Sequence, residues 1–312
     1  MPSRSKLPDA LSGRSFTMRE AGGEGLARRR SQGPDLLTPS RGIRVPWDVA
    51  QEFPEAVRPV FELTPGGVGC FGTAARLLGI SVPAWVQSEP RLHIARTGTT
   101  AANRFGVVGH RLKLAAEETS CVRGITVTSP ARTWLDLASV LTPDDLVAAG
   151  DSVVCAHRRS FEPERHPMAH LDELVTIVDR HHGVRGVLAA RQALALIRIG
   201  ADSPPETYLR LAVLRRLLPE PDLDVVVLGP DGRELAWPDL AFRRFRVAVQ
   251  YDGRHHLTAG QQESDGRRDN DTVLAGWIPL RITGAMIARF GYEGAARIIR
   301  DALISRGWTR QP

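Results

Sequence analysis

The chain has 312 residues, of which 42% are hydrophobic and 24% charged, and its formal net charge is +6. This length predicts two domains, and the positive charge favours a nucleic acid or an anionic membrane as partner. Three widely spaced cysteines without a CxxC pair argue against a zinc ribbon or a disulfide framework. No apolar run approaches the roughly 18 residues of a membrane helix, so a cytoplasmic protein is expected.

The first predicted element is a basic helical segment. Residues 1–14 are polar, lack the apolar core of a secretory signal, and are predicted to be a disordered arm. The stretch from Ser15 to Arg30 predicts two short helices separated by a pair of glycines, with Thr17 and Glu20 as a capping box. A turn and a short extended piece, LLTPSRGIRVP, follow. This order is typical of a winged helix, and the alternative is a basic flexible arm.

The middle of the chain mixes short helices and strands. Helices are predicted at 72–80 and 130–154, with a restart at Thr142, and strands at 91–95 and 124–129. A helical connector is predicted at 161–202. The predicted domains are therefore a winged-helix and small α/β region at 15–160 and a C-terminal domain at 203–312.

The C-terminal domain predicts the order α-β-β-β-α-β-α. Ser203 and two prolines open a helix, and the strand candidates DLDVVVLG, ELAWPDLAF and FRVAVQYDG follow. The turn residues Pro230-Asp231-Gly232 separate the first two candidates. The stretch TVLAGWIPLRIT adds a helix end and a fourth strand, and ARIIRDALISRG closes with a helix.

Polar residues end two neighbouring predicted strands of this domain. A turn near Arg243 would place Asp239 beside the end of the strand that carries Gln250 and Asp252. Two carboxylates that share a hard cation are what Mg²⁺ or Mn²⁺ chemistry on phosphodiesters requires. Glu206, early on the preceding helix, would add a third carboxylate to this predicted metal site. The pair His255 and His256 would then act as a general base or hold a phosphate.

This pattern resembles the PD-(D/E)XK nuclease superfamily, and within it the very-short-patch-repair-like endonucleases. The matching residues are Trp237-Pro238-Asp239, Val249-Gln250-Tyr251-Asp252-Gly253-Arg254-His255-His256, Asp265, Arg268, Asp269, Gly276-Trp277 and Leu280-Arg281-Ile282. The resemblance implies an αβββαβ core and a metal-dependent endonuclease. Two positions depart from it: Gln250 stands where an acid is usual, and Asp252 where a lysine is usual. The role of the lysine would fall to His255, His256 or Arg268.

Each of these residues also has a purely structural interpretation. Asp239 after a proline can start a turn, Asp252 with the next glycine is a common turn sequence, and the histidine pair can be solvated. Glu206 can favour the helix dipole. Arg267 and Arg268 either contact phosphate or form a solvated face.

The N-terminal half resembles the AbiEi-type antitoxins of abortive-infection systems. The resemblance rests on RGIRVP, GTAARLLGI, GVVGHRL and above all ITVTSPARTWLDLA. It implies that the first domain binds promoter DNA, and it leaves open whether a toxin partner exists. The predicted DNA-contacting residues are Arg28, Arg29, Arg30, Arg254, Arg267 and Arg268.

The sequence favours the first of two functions. The first is a metal-dependent DNA endonuclease coupled to a DNA-binding module. The second is a catalytically inactive DNA-binding regulator of antitoxin type, which Gln250 favours because a glutamine adds no charge to a metal site. In both cases the predicted fold is mixed α and β, with a winged helix followed by the nuclease-like domain.

Overall fold

A computed structural model describes residues 6–48, 51–98, 100–157, 159–160, 163–253 and 270–310. It contains two compact units, each built from two stretches of chain. The first unit comprises Met1–Val140 and Glu173–Val187, and the second comprises Leu141–Asp172 and Leu188–Pro312. In the described ranges, no helix combines the length and the apolar character that crossing a bilayer requires.

The first unit begins with a small antiparallel sheet and a short helix. Its elements are β1 (Phe16–Thr17), α1 (Met18–Gly23), a 3-10 turn (Arg30–Gln32), β2 (Leu36–Leu37) and β3 (Ile43–Pro46), with the strand order β1-β3-β2. The predicted capping box at Thr17 and Glu20 is present. Leu11 is fully buried with Phe16. Residues 6–14 thus differ from the predicted disordered arm, because an apolar side chain anchors them.

A five-stranded mixed sheet forms the rest of the first unit. Its strands are β4 (Val68–Gly69), β5 (Leu92–Arg96), β6 (Val107–Arg111), β7 (Thr119–Val122) and β8 (Ile125–Thr128), in the order β6-β5-β4-β8-β7. The helices are α2 (Phe53–Glu62), α3 (Phe71–Leu78), α4 (Ala84–Gln87) and α5 (Pro130–Leu137). Helix α3 packs against α5 and the sheet. The predicted helix at 72–80 and the strands at 91–95 and 124–129 are confirmed.

Three helices lie in the part of the sequence where the chain passes from one unit to the other. They are α6 (Pro143–Val154), α7 (Leu171–Arg180) and α8 (Val187–Leu194). Thr142 caps α6 by accepting a hydrogen bond from the Asp145 backbone, as the sequence predicts. Helix α6 belongs to the second unit. The units therefore divide the chain differently from the predicted boundaries at 160 and 202.

The second unit is built around a three-stranded sheet. Its elements are α9 (Pro204–Arg215), β9 (Val227–Leu228), β10 (Glu234–Ala236), β11 (Leu240–Phe242), β12 (Val247–Asp252), a helical segment at 270–274, β13 (Ile278–Thr283) and α10 (Gly284–Ser305), which is interrupted at Gly291. Strand β12 is antiparallel to β11 and parallel to β13. Helices α9 and α10 pack against each other, and buried Leu209, Val249 and Ile299 lie in the core.

The strand pattern differs from the predicted run of three consecutive paired strands. The candidate ELAWPDLAF is divided into β10 and β11, with Pro238, which lacks an N–H, between them. Strands β9 and β10 form a separate two-stranded sheet. The segment before β9 forms an isolated bridge with β11, between Asp222 and Ala241, and not a described strand of the sheet. The described fold is thus mixed α and β, with several small sheets.

Candidate functional site

A cavity of about 450 Å³ lies at the end of β12. Alternate residues of β12 face the core, and the others, including Gln250 and Asp252, line the cavity. Because Leu240 pairs with Val249, the preceding Asp239 is level with Gln250 and lines the same cavity. The structure therefore brings Asp239, Gln250 and Asp252 to one site.

Both carboxylate oxygens of Asp239 accept hydrogen bonds from its neighbours. Gln250 Nε2 donates to Oδ1 at 2.8 Å, and the Tyr251 backbone N–H donates to Oδ2 at 2.5 Å. Loss of hydration and the nearby Glu206 carboxylate raise the pKa of Asp239 well above its usual range, although these hydrogen bonds and Arg159 act in the opposite direction. The neutral amide of Gln250 is thus the direct partner of this carboxylate.

Asp252 lies against a cation. The distance from Arg281 Nη1 to Asp252 Oδ2 is 3.5 Å. Arg281 is on β13, opposite Gln250 of the parallel strand β12. The guanidinium therefore neutralises one of the two carboxylates that the sequence predicts to share a metal ion.

Glu206 stabilises the start of its own helix. Its Oε1 accepts a hydrogen bond from Ser203 Oγ at 2.6 Å, and its Oε2 accepts one from the Asp202 backbone at 2.9 Å. Burial raises the pKa of Glu206, whereas these two hydrogen bonds lower it. The local contacts agree with the structural interpretation of Glu206 as a residue of the first helical turn.

The predicted magnesium or manganese site is not assembled from the described residues. Within them, no group of three or more histidine, cysteine, aspartate or glutamate side chains is arranged to hold a metal ion. Asp239, Asp252 and Glu206 each have hydrogen-bond or ion-pair partners of their own. The binding of Mg²⁺ or Mn²⁺ by these carboxylates therefore stays a proposal.

Several predicted site residues lie outside the described part of the chain. The gap at 254–269 contains Arg254, His255, His256, Asp265, Arg267, Arg268 and Asp269. Their predicted roles in general base catalysis and phosphate contact stay predictions.

The three predicted DNA-contacting arginines of the N-terminal segment have different surroundings. Arg30 forms a two-point ion pair with Asp35, with N–O distances of 3.1 and 2.7 Å. Arg28 and Arg29 are exposed, and within the described ranges neither guanidinium contacts a carboxylate. The ion pair holds Arg30 beside β2, so of these three predicted residues Arg28 and Arg29 are the ones whose guanidinium groups have no carboxylate partner in the described part of the chain.

Sequence reasoning missed a buried ionic cluster on α5 of the first unit. Arg132, which is 2% exposed, donates from Nε to Asp136 Oδ1 at 2.9 Å and also contacts Glu118. His181 lies 2.7 Å from the second oxygen of Glu118. Burial raises the pKa of Asp136 to about 6, against the effect of Arg132. The signal that could have found this cluster is an arginine and an aspartate four residues apart on an otherwise apolar helix.

The comparisons with known proteins place this chain near one antitoxin family. Residues 67–200 match the family described as AbiEi antitoxin C-terminal domain. The match confirms the AbiEi-type part of the resemblance and reaches across α7 and α8. It covers less than half of the chain and includes neither the N-terminal small sheet nor Asp239, Gln250 and Asp252.

Two curated proteins of Mycobacterium tuberculosis, one from strain CDC 1551 and one from strain H37Rv, are related to the chain over a longer stretch. Each is 27% identical over 238 residues, which is 75% of this chain and 80% of the relative, and each is described as uncharacterised. No solved structure matches the chain.

Proposed function

We propose that this protein is a DNA-binding regulator of antitoxin type with a toxin as its protein partner, and that its C-terminal sheet does not hydrolyse DNA. The AbiEi antitoxin match over residues 67–200 carries the proposal. The net charge of +6 supports DNA as the other partner.

The N-terminal part of the first unit would be the DNA-contacting module. A sheet of order β1-β3-β2, the helix α1 and the basic turn at Arg30–Gln32 occur in the chain order of a winged helix. Arg28 and Arg29 lie immediately before that turn, where a recognition element would contact phosphates. The connection between β2 and β3 would be the wing, and Arg104 holds it by donating to the Arg41 carbonyl at 2.6 Å.

A double substitution, Arg28→Ala with Arg29→Ala, tests this module. We expect it to weaken binding to a DNA duplex from upstream of the protein's own gene. Loss of two phosphate contacts should also reduce the slope of log K against log salt by about 2. Fluorescence anisotropy at several salt concentrations measures both effects.

Arg191→Ala is the matched control, because Arg191 is an exposed arginine of α8 outside the proposed module. It should leave the affinity and the salt slope close to those of the wild type. If the Arg28 and Arg29 substitutions have no larger effect than the control, this DNA surface is wrong.

A metal-dependent endonuclease is the second candidate, because Asp239, Gln250 and Asp252 line one cavity. Under the favoured proposal, Gln250 keeps Asp239 hydrogen-bonded and the site binds no divalent cation. Calorimetric titration with Mg²⁺ or Mn²⁺ at millimolar concentration should then give no binding heat, and DNA should remain uncut. Nicking that requires the metal and disappears in Asp239→Ala would instead establish the nuclease.

A Gln250→Glu variant tests the pair of Asp239 and Gln250 by replacing the amide with a carboxylate. A glutamate would bring two carboxylates to about the present 2.8 Å separation and remove the amide donor. We expect the free energy of unfolding, measured by urea denaturation, to fall by about 1 kcal/mol. The loss stays small because residue 250 is exposed and its side chain can rotate away. Gln250→Ala is the control that removes the hydrogen bond without adding charge. If Mn²⁺ restores the free energy of unfolding of Gln250→Glu but not that of Gln250→Ala, the result would favour the endonuclease.

A further inference from the structure

The second unit has a groove at the other end of β12, away from the Asp239 cavity. Two adjoining depressions of about 900 and 780 Å³ share Leu217, Trp308 and Arg310. The turn before β12 forms one wall through Phe245, and the end of α10 contributes Ile304 to the other depression. We call this surface the Trp308 groove.

The floor of the Trp308 groove exposes aliphatic and aromatic side chains. Leu217 is 65% exposed and Ile304 is 52% exposed. Trp308 packs on one side against the core and is half-buried. Leu217 also has a left-handed backbone, with φ of +56°, which is unusual for a leucine. Apolar side chains grouped in a concave surface indicate a binding site more strongly than single exposed residues do.

The rim of the groove carries more arginines than acids. Of its acids, Glu220 is paired with Arg198 at 2.7 Å and Glu293 with Arg216 at 2.9 Å.

Arg244 and Arg310 are exposed, and among the described residues neither has a carboxylate partner. The guanidinium of Arg244 lies over the Phe245 ring, 5.6 Å from its centre. Arg243 also lines the groove, 3.6 Å from Asp222 in a pair whose members are both mostly exposed. An incoming carboxylate could therefore meet charges that the chain itself does not neutralise.

The composition of the groove discriminates between classes of occupant. Aliphatic side chains such as Leu217 and Ile304 contribute little to the binding of a phosphate backbone. In the core of a protein–protein interface they commonly pack against apolar side chains of the partner. Tryptophan and arginine are the residue types that most often dominate protein–protein binding energy. A second copy of this chain would bring a net charge of +6 to a basic rim. The charge and the floor together fit an acidic segment that carries apolar side chains.

We propose that the Trp308 groove binds an acidic, amphipathic segment of a partner protein, with carboxylates at Arg244 and Arg310 and an apolar side chain between Leu217 and Trp308. This inference goes beyond the proposed function and does not depend on DNA binding by Arg28 and Arg29.

Selection from a random 12-residue peptide library displayed on phage, with the immobilised full-length chain as bait, tests the groove. The enriched sequences should combine aspartate or glutamate with leucine, phenylalanine or tryptophan. The most enriched peptide, synthesised with a fluorescent label, is then measured by anisotropy. Arg244→Glu combined with Arg310→Glu should weaken it at least tenfold, and Leu217→Asp should do the same.

Arg289→Glu is the matched control. Arg289 is an exposed arginine whose guanidinium lies 4.9 Å from the centre of the Phe290 ring, so it forms the same kind of pair outside the groove. It should change the peptide affinity by less than twofold. Thermal unfolding followed by circular dichroism verifies that each variant is folded.

Four results would overturn the proposal: no enriched peptide, a consensus without acidic residues, equal weakening by Arg289→Glu, or no effect of the groove substitutions. A labelled 12-nucleotide oligo-dT that binds more tightly than the peptide and depends on Arg244 and Arg310 would make the groove a nucleic-acid surface instead. A dimer in sedimentation velocity that these substitutions dissociate would make it a self-association surface. The DNA-binding readout of Arg28 and Arg29 is separate, so the two proposals can fail independently.

Discussion

Arg132 illustrates at the residue scale how one buried cation holds several acids in place. Its guanidinium contacts Glu118 and Asp136, and its Nη1 also donates to the Lys113 carbonyl at 3.0 Å. Both carboxylates are nearly inaccessible to water. A buried charge without a partner lowers the free energy of unfolding. These ion pairs therefore matter chiefly because the removal of one partner leaves the other buried and unpaired.

Arg132→Met should lower the free energy of unfolding by about 3–5 kcal/mol at pH 7.5, because it leaves two acids buried without their partner. The pKa of Asp136 is about 6 in the folded chain, above its value in an unfolded chain. Arg132 lowers this pKa, so its removal raises the folded pKa of Asp136 further and costs stability wherever the carboxyl would ionise; as the pH falls through the folded pKa, the protonated carboxyl no longer needs the cation. The loss should accordingly be smaller at pH 5 than at pH 7.5.

Urea denaturation at both pH values measures this difference, with Arg191→Met as the surface control. A loss that is the same at both pH values would show that Asp136 is not the group left uncompensated.

At the scale of elements, local sequence patterns predict helices and individual strands well. Thr17 and Thr142 cap α1 and α6 as predicted, since a hydroxyl three residues before a backbone N–H is enough to form each cap. The β11–β12 hairpin also forms around the predicted turn, with Arg246 in a left-handed conformation at its end.

Strand partners were less predictable than the strands themselves. The alternation of apolar residues indicates which face of a strand is buried, but it does not indicate which other strand lies beside it. Pro238 illustrates the point, because it divides one predicted strand into β10 and β11, which belong to different sheets. The same holds in the AbiEi-like region. Strands β4, β5 and β8 each form from a short stretch of sequence, whereas their order in the five-stranded sheet depends on contacts between distant stretches.

At the scale of the whole molecule, the predicted C-terminal domain at 203–312 leaves out helix α6, which belongs to the second unit of the structure. Helix α6 packs against α9, and Asp151 on α6 accepts hydrogen bonds from Thr207 at 2.8 Å and from Arg210 at 2.7 Å. Asp151 and Arg210 are almost completely buried. A cut at residue 203 would remove the partner of a buried arginine.

We therefore expect a fragment of residues 203–312 to aggregate or to unfold without a cooperative transition, whereas a fragment of residues 141–312 should unfold cooperatively. Solubility and thermal denaturation by circular dichroism compare the two. Asp151→Ala in the full chain should cost about 3–5 kcal/mol, since it removes only the acidic partner. Equal stability of the two fragments would support the boundary at 203 that the sequence predicts.

The sequence by itself determined the local features of this protein: the basic composition, the helix caps, the period-two pattern of β12 and the AbiEi-like motifs. The composition is a sum over all residues, and each of the other features depends on residues close together in the chain, where spacing is sufficient information. Only the tertiary structure decided that Arg281 lies against Asp252, that Arg210 is paired with Asp151, and that residues 141–172 belong with α9. These pairings join chain segments whose meeting depends on how the whole core packs, and hydrophobic burial is non-directional, so no short pattern encodes them.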